Sequence, residues 1–379
     1  MTPAKPLRLG PVEVGAPVVL APMAGVTSAP FRLLCRQYGP GLFVSEMVTS
    51  RALVEGVSRA RTMLFHAPGE SPRSVQLYGT NASVVGAACR LVGAQDLADH
   101  IDLNFGCPVP KVTRKGGGAA LPWKRQLFAD IVAQAVDSAG AFNIPVTVKL
   151  RMGIDATHLT YLEAADAAAR LGVAGIALHA RTAAEHYSGR AHWDAIAQLK
   201  REISSVPILG NGDIWSAEDA LAMMQQTGCD GVVIGRGCQG RPWLFADLAA
   251  ALAGSPDRVR PTLGEVAGIV RRHSELTVHH VGDEAAAMRS MRHHMPWYLR
   301  GYPVGGQTRA AFSQVASLAE LDTLLEQLDQ GAPCPPAAEG PRGRAGGPKV
   351  PALPHGWLNS RDLPPTWQDA QAELPLSGG

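Results

Sequence analysis

Cysteine is scarce and unpaired in this chain. Of 379 residues six are cysteine, at positions 35, 89, 107, 229, 238 and 334, with no CxxC pair and no regular spacing. That pattern excludes a disulfide scaffold and a cysteine-rich zinc module, and it fits a reducing compartment. Long apolar runs are also missing: nothing approaches the ~18 uninterrupted apolar residues of a membrane span. Lys5 and Arg8 precede an apolar stretch at 18–23, but Pro22 breaks it and it is too short for a secretory signal. A cytoplasmic location with no membrane partner is expected. Charge of one sign is lacking as well, since 35 Lys and Arg face 33 Asp and Glu for a net +2. Any nucleic-acid surface must therefore be a local patch. The 29 prolines crowd towards the two ends and mark loop-rich termini around a compact middle.

What is present is a rhythm. A short apolar, β-branched run recurs about every 25 to 35 residues, each followed by a small or polar residue and then a helical pattern. Eight such runs lie at 18–21, 42–47, 74–78, 100–104, 146–151, 175–181, 207–212 and 231–235. Helices are read at 126–139, at 163–170 and from a Ser216 cap to about residue 226. Eight βα units in so few residues predict an α/β fold, a parallel (β/α)8 TIM barrel over 1–254 rather than a doubly wound sheet. In a barrel, chemistry belongs at the C-terminal ends of the strands. The residues collected there are Met23 and Gly25, Glu46, Gln76, Asn104 with Cys107, Lys149 with Arg151, His179 with Arg181, Asn211 with Asp213, and Arg236.

The fourth run ends in Asp102-Leu103-Asn104-Phe105-Gly106-Cys107-Pro108. Gly106 permits a turn and Pro108 stops the strand, so the thiol is placed at a fixed tip. The glycine-rich stretch 115–119 follows and could close over a bound group. Gly235-Arg236-Gly237-Cys238-Gln239-Gly240 formally matches the dinucleotide fingerprint GxGxxG. However, Pro242 follows almost at once and residues 259–262 carry no acid for a ribose, so the fingerprint fails. The loops after strands seven and eight, Asn211-Gly212-Asp213 and Gly235-Arg236, instead form the barrel type of phosphate site. A flat monophosphate cofactor, FMN, suits it. Lys149, inward from mid-barrel, is placed to meet the N1/O2 edge of a flavin.

Beyond the barrel, helical patterns at 263–281, 283–300 and 318–328 predict a small all-α domain over 255–330. Arg271, Arg272, Arg289, Arg292 and Arg300, with Arg309, form its basic side, beside His279, His280, His293 and His294. Between 271 and 309 only Glu275, Asp283 and Glu284 oppose them, so an RNA-phosphate surface is expected there. Trp297 offers a stacking face or core packing, and Met291 and Met295 read as core. Adjacent histidines on a helix diverge by about 100° and do not chelate together, so no metal is expected. Residues 331–379 are rich in proline and glycine and too poor in apolar residues to fold, with Trp357 and Trp367 as exceptions that could dock the tail onto the barrel, for which the sequence offers no partner. Nothing calls for an obligate protein partner.

Taken together, these residues resemble the tRNA-dihydrouridine synthases, in particular the bacterial B-type branch. The resemblance runs from residue 17 to about 325. It rests on Ala21-Pro22-Met23-Ala24-Gly25-Val26-Thr27, Asn104 to Pro108, Lys111 with Gly117 to Leu121, Lys149-Leu150-Arg151, His179 to Thr182, Asn211 to Ile214, and Gly235-Arg236. It implies that Pro22, Met23, Ala24, Gln76, Lys149, His179, Asn211, Gly212, Asp213, Gly235 and Arg236 hold FMN. It implies that Cys107 is the proton donor, and that Asn104, Arg151, Arg181 and Tyr187 face the substrate base. Two positions depart from the family pattern: Ser28 replaces an acid, and His192 replaces an aspartate before Trp193.

The implied reaction reduces the C5=C6 bond of uridine in tRNA, with NADPH as reductant. Two alternatives share part of this pattern. A dehydrogenase of a free pyrimidine would need no cationic helical domain, and a non-catalytic RNA-binding protein would need neither Cys107 nor Lys149.

Overall fold

The computed structural model describes residues 5–343 and 345–363. All eight expected runs are strands. With an N-terminal pair they make ten: β1 Leu7–Leu9, β2 Val12–Val14, β3 Val18–Leu20, β4 Leu42–Thr49, β5 Ser74–Tyr78, β6 His100–Phe105, β7 Val146–Arg151, β8 Gly175–His179, β9 Ile208–Asn211 and β10 Gly231–Ile234. Strands β3 to β10 close into a barrel, with every neighbouring pair parallel and β10 pairing back onto β3. This is the (β/α)8 TIM barrel that the spacing predicts.

Side-chain alternation divides each strand between two environments. In β6, Ile101, Leu103 and Phe105 join the core shared with the surrounding helices. His100, Asp102 and Asn104 take the opposite parity and face the barrel interior. In β7 the outward set is Val146, Val148 and Leu150, and the inward set is Thr147, Lys149 and Arg151. The bottom of the barrel is plugged by an apolar hairpin absent from the sequence reading. Its strands β1 and β2 pack Leu7, Leu9 and Val14 against Val19, Leu42, Val44, Leu209 and Val233. Three residues per strand fall below any periodic signal, and Gly10 makes the turn at φ +58°.

The helical region has its own apolar cluster, including Val266, Val270, Met288, Met291, Met295, Tyr298, Phe312 and Leu321. Its first helix, Leu263–Val281, opens on a Thr262/Glu265 capping box and ends at Gly282 in a left-handed conformation. The expected helix 283–300 is two pieces, Glu284–Met291 and Met295–Tyr298. Pro296 explains the break, because it lacks an N–H and is accommodated only in a first turn. The region docks on the barrel through rings: Phe31 lies 5.6 Å from His273 and 5.9 Å from His294. His294 is buried, and burial holds its imidazole neutral, so it does not belong to a basic surface.

The described part of the tail corrects another expectation. Ala332 and Ala338 join the helical cluster. The side chain of Arg342 is buried, donating to the carbonyls of Gln239, Trp297 and Ala338. Trp357 is 3% exposed. A segment that cannot build a core of its own is ordered here on the barrel's surface. Trp367 lies outside the described residues.

Candidate active site

Cys107 stands just past the end of β6, and its turn is tied on both sides. The Asn104 side-chain oxygen accepts from the backbone N–H of Gly106 (3.1 Å) and of Cys107 (3.0 Å). The Arg151 Nε donates to the Gly106 carbonyl at 2.8 Å. The Cys107 carbonyl accepts from the Ala119 N–H at 3.0 Å, folding the glycine-rich stretch back against the tip. Gly118 makes that approach possible: at φ +56°, a Cβ there would lie 2.4 Å from the Cys107 oxygen. Burial raises the pKa of the thiol, against smaller opposing effects of the Val109 backbone, Arg151 and Lys149. At neutral pH the sulfur carries its proton.

Beneath the tip runs a buried polar column that the sequence reading only partly named. Asn104 Nδ2 donates to Gln76 Oε1 (2.8 Å), and Gln76 Nε2 donates to Asp102 Oδ2 (2.7 Å). Thr147 Oγ1 donates to Asp102 Oδ1 (2.6 Å), while His100 pairs with Thr147 at 3.0 Å. Burial pushes the Asp102 carboxyl up to about 6. Lys149 Nζ donates to Asn211 Oδ1 at 3.0 Å, and Asn211 Nδ2 donates to the Val233 carbonyl at 2.7 Å. Burial, then Arg151, lowers the ammonium to about 8, with Asp102 and Cys107 opposing the fall. Asp102 is thus an ionisable partner of Lys149 inside the barrel. An acid of inward parity between Ile101 and Leu103 was the available signal.

Removing that carboxylate should disfavour the ammonium. In Asp102→Asn, the midpoint of Lys149, followed as the pH dependence of its acylation rate, should fall about one pH unit below the wild-type value. An unchanged midpoint would show that the two groups do not communicate.

Just past β8, the neighbour of β7, Arg181 Nη2 meets both carboxylate oxygens of Asp213 at 2.8 Å, and its Nε donates to the Ser188 carbonyl at 2.9 Å. Arg181 was expected to face a substrate base; its Nε and Nη2 contacts shape the loop 182–191 and hold Asp213. Its Nη1 is buried without a hydrogen-bond partner. Arg151, also expected to face substrate, is committed to the carbonyls of Gly106, Thr182 and His186. Asp213 sits at φ +53°, a left-handed conformation, and also accepts from the Ala191 N–H at 2.7 Å. The Arg236 guanidinium lies 3.8 Å from Asp213, over the rings of Tyr187 (4.5 Å) and Trp215 (4.9 Å). His192 pairs with Glu185 at 2.6 Å, and Ser28 caps the helix Ala29–Tyr38 without a side-chain hydrogen bond.

These groups surround one cavity of about 1080 Å³. Pro22, Met23, Ala24, Asn104, Cys107, Lys149, Arg151, His179, Arg181, Tyr187, Asn211, Gly212, Asp213, Gly235 and Arg236 all line it. Gln76 does not: it is wholly buried below, holding Asn104 and Asp102. Four lining residues come from the helical region, His293, Pro296, Trp297 and Arg300, and the tail contributes Gly343, Ala345, Gly346, Gly347 and Lys349. The expected arginine surface is less uniform. Arg271 pairs with Glu275 at 2.9 Å and with Asp322, Arg272 meets Glu275 at 3.4 Å, and Arg292 donates to the Val315 carbonyl at 3.0 Å. Arg289 and Arg300 are exposed, and Arg300 alone of the five reaches the cavity. Among the described residues no group of three or more His, Cys, Asp or Glu could hold a metal ion, and no helix is long and apolar enough to cross a membrane.

Comparison with known proteins agrees with this geometry. The barrel resembles that of histamine dehydrogenase from Rhizobium sp. 4-9 with a TM-score of 0.51 at 12% identity, over 86% of this chain and 64% of that one. That likeness concerns the fold alone. A probable tRNA-dihydrouridine synthase of Mycobacterium tuberculosis (strain CDC 1551 / Oshkosh) is 55% identical over 367 residues, 95% of this chain and 94% of that protein. The tRNA-dihydrouridine synthase B of Pseudomonas syringae pv. tomato is 39% identical over 329 residues, 86% of this chain and 95% of that protein. The family model for dihydrouridine synthase (Dus) matches residues 19–332. The chain belongs to the dihydrouridine synthase family.

Proposed function

We propose that this protein reduces the C5=C6 bond of uridines in tRNA, using FMN as its cofactor and NADPH as the reductant. The observation that carries the reading is the placement of a neutral, loop-anchored thiol and a buried lysine on one cavity at the C-terminal mouth of the barrel. FMN fits the residues present. The buried, unpartnered Nη1 of Arg181 and the loops at 211–213 and 235–236 suit its phosphate, and Lys149 suits the pyrimidine edge of its ring. Bound there, the flavin supplies a hydride for C6 of the uracil.

The chain's own residues do the rest. Cys107 Sγ gives its proton to C5 and is reprotonated from solvent. A thiol of raised pKa is suited to this, because a thiolate would have no proton to give. Asn104, Arg151 and Ala119 hold the tip so that the sulfur does not wander. Lys149 places positive charge at the ring edge where negative charge gathers on reduction. A stacked base must leave the RNA to enter this cavity, at a cost of a few kcal/mol, so the RNA must be gripped elsewhere.

Arg289 and Arg300 are the exposed candidates for that grip. Arg289→Ala and Arg300→Ala should each weaken tRNA binding and lower the steepness of its dependence on log salt by about one unit, as read in salt titrations. Unchanged slopes would move the phosphate surface away from the helical region. The function is tested by nucleoside mass spectrometry of tRNA from a strain lacking the gene, with and without the gene restored. Dihydrouridine lost on deletion and regained on restoration supports the reading, whereas reoxidation of the reduced flavin by free uracil alone would favour a free-pyrimidine dehydrogenase.

A further inference from the structure

The described part of the tail reaches, at residues 357–362, the loop that follows the thiol. Trp357 is buried with Ala120 and Ile154, and its Nε1–H donates to the Ala120 carbonyl at 3.0 Å. Its ring lies so close to Gly116 that a Cβ there would come within 2.5 Å of it. Trp123 Nε1 donates to the Ser360 carbonyl at 3.1 Å, and Lys124 Nζ reaches the carbonyls of Ser360 (2.5 Å) and Asp362 (3.1 Å). In return Arg361 Nε donates to the Trp123 carbonyl at 2.9 Å and its Nη2 pairs with Glu163 at 2.7 Å. The bonds run both ways between 357–362 and 116–124.

That second segment holds the Cys107 tip. The Ala119 N–H meets the Cys107 carbonyl, and Gly118 lies against the Cys107 backbone. Three successive glycines, 116–118, have high conformational freedom, and ordering them is entropically costly. Short-range backbone bonds shape the loop, among them Gly116 N–H to Thr113 O and Gly117 N–H to Val112 O, and the buried indole packs against its outer side. The matched family domain ends at residue 332, before the clasping residues begin.

We propose that residues 357–362 are a clasp that fixes the Cys107 loop, with Trp357 as its positioning residue. This rests on the reading of Cys107 as proton donor, and the test separates the two. Iodoacetamide labelling of the full-length protein, mapped by mass spectrometry, follows the thiols one by one. Cys107 and Cys334 are the two partly exposed cysteines among the described residues, so Cys334 is the internal reference.

In Trp357→Ala, Cys107 should label about tenfold faster, the scale of one lost buried hydrogen bond, while Cys334 labels at the wild-type rate. Flavin content should be retained, and reoxidation of the reduced flavin by tRNA should slow. Trp357→Phe keeps a ring against Gly116 and loses only the N–H, so it should fall between wild type and Trp357→Ala. Wild-type labelling of Cys107 in both variants overturns the clasp, as do equal rises at Cys107 and Cys334, which would report general loosening. Selective labelling in an enzyme whose wild type makes no dihydrouridine would uphold the clasp and defeat the proposed function.

Discussion

Cys107→Ala should purify with its flavin, accept electrons from NADPH at the wild-type rate, and form dihydrouridine at least about 100-fold more slowly, the scale of a lost general acid. The separation follows from position. The bonds from Asn104, Arg151 and Ala119 that shape the turn all go to main-chain atoms there, and the thiol itself meets only the Val109 backbone and nearby charges. Removing the sulfur therefore leaves the tip built and the Lys149 side of the cavity untouched. Stopped-flow absorbance of the two half-reactions, reduction by NADPH and reoxidation by tRNA, measures both numbers. Normal reoxidation in the variant would return Cys107 to a structural role.

Lys149→Ala should act on the other half-reaction. Its ammonium is joined to Asn211 across the barrel interior, and Asp102 in the column below opposes its loss of charge. Loss of a hydrogen bond to a charged group is worth about 1.5–3 kcal/mol, so FMN affinity or the rate of flavin reduction should fall roughly 10- to 100-fold. Flavin-to-protein ratio after gel filtration and the rate of bleaching by NADPH distinguish the two. The variant also strips Asp102 of its nearest positive charge, which should raise that carboxyl further. A variant with full flavin content and normal reduction would place the cofactor's ring edge elsewhere.

The strands were legible because a barrel strand must put apolar residues towards the helices, and runs such as Val146-Thr147-Val148 declare this in sequence. The hairpin β1–β2 was not, because three residues carry no period. Cys107 and the loops at 211–213 and 235–236 were legible as cavity lining from their places at strand ends, and Lys149 from its inward place within β7. Arg151 and Arg181 were found as site residues, but their bonds go to loop carbonyls and Asp213. Sequence places an arginine at the cavity but does not show that it also holds the loop beside it. Asp102 was passed over because it sat within a motif read for its cysteine. For the tail, composition showed only that a segment poor in apolar residues cannot build a core; that Trp357 could dock it was legible, but its partners at 116–124 were not.

The most direct measurement is nucleoside mass spectrometry of an unmodified tRNA transcript after incubation with the purified protein, FMN and NADPH under anaerobic conditions. The account predicts dihydrouridine in the digest, at defined uridines, with wild type and almost none with Cys107→Ala. A digest without dihydrouridine, from protein whose flavin is demonstrably reduced, would contradict it.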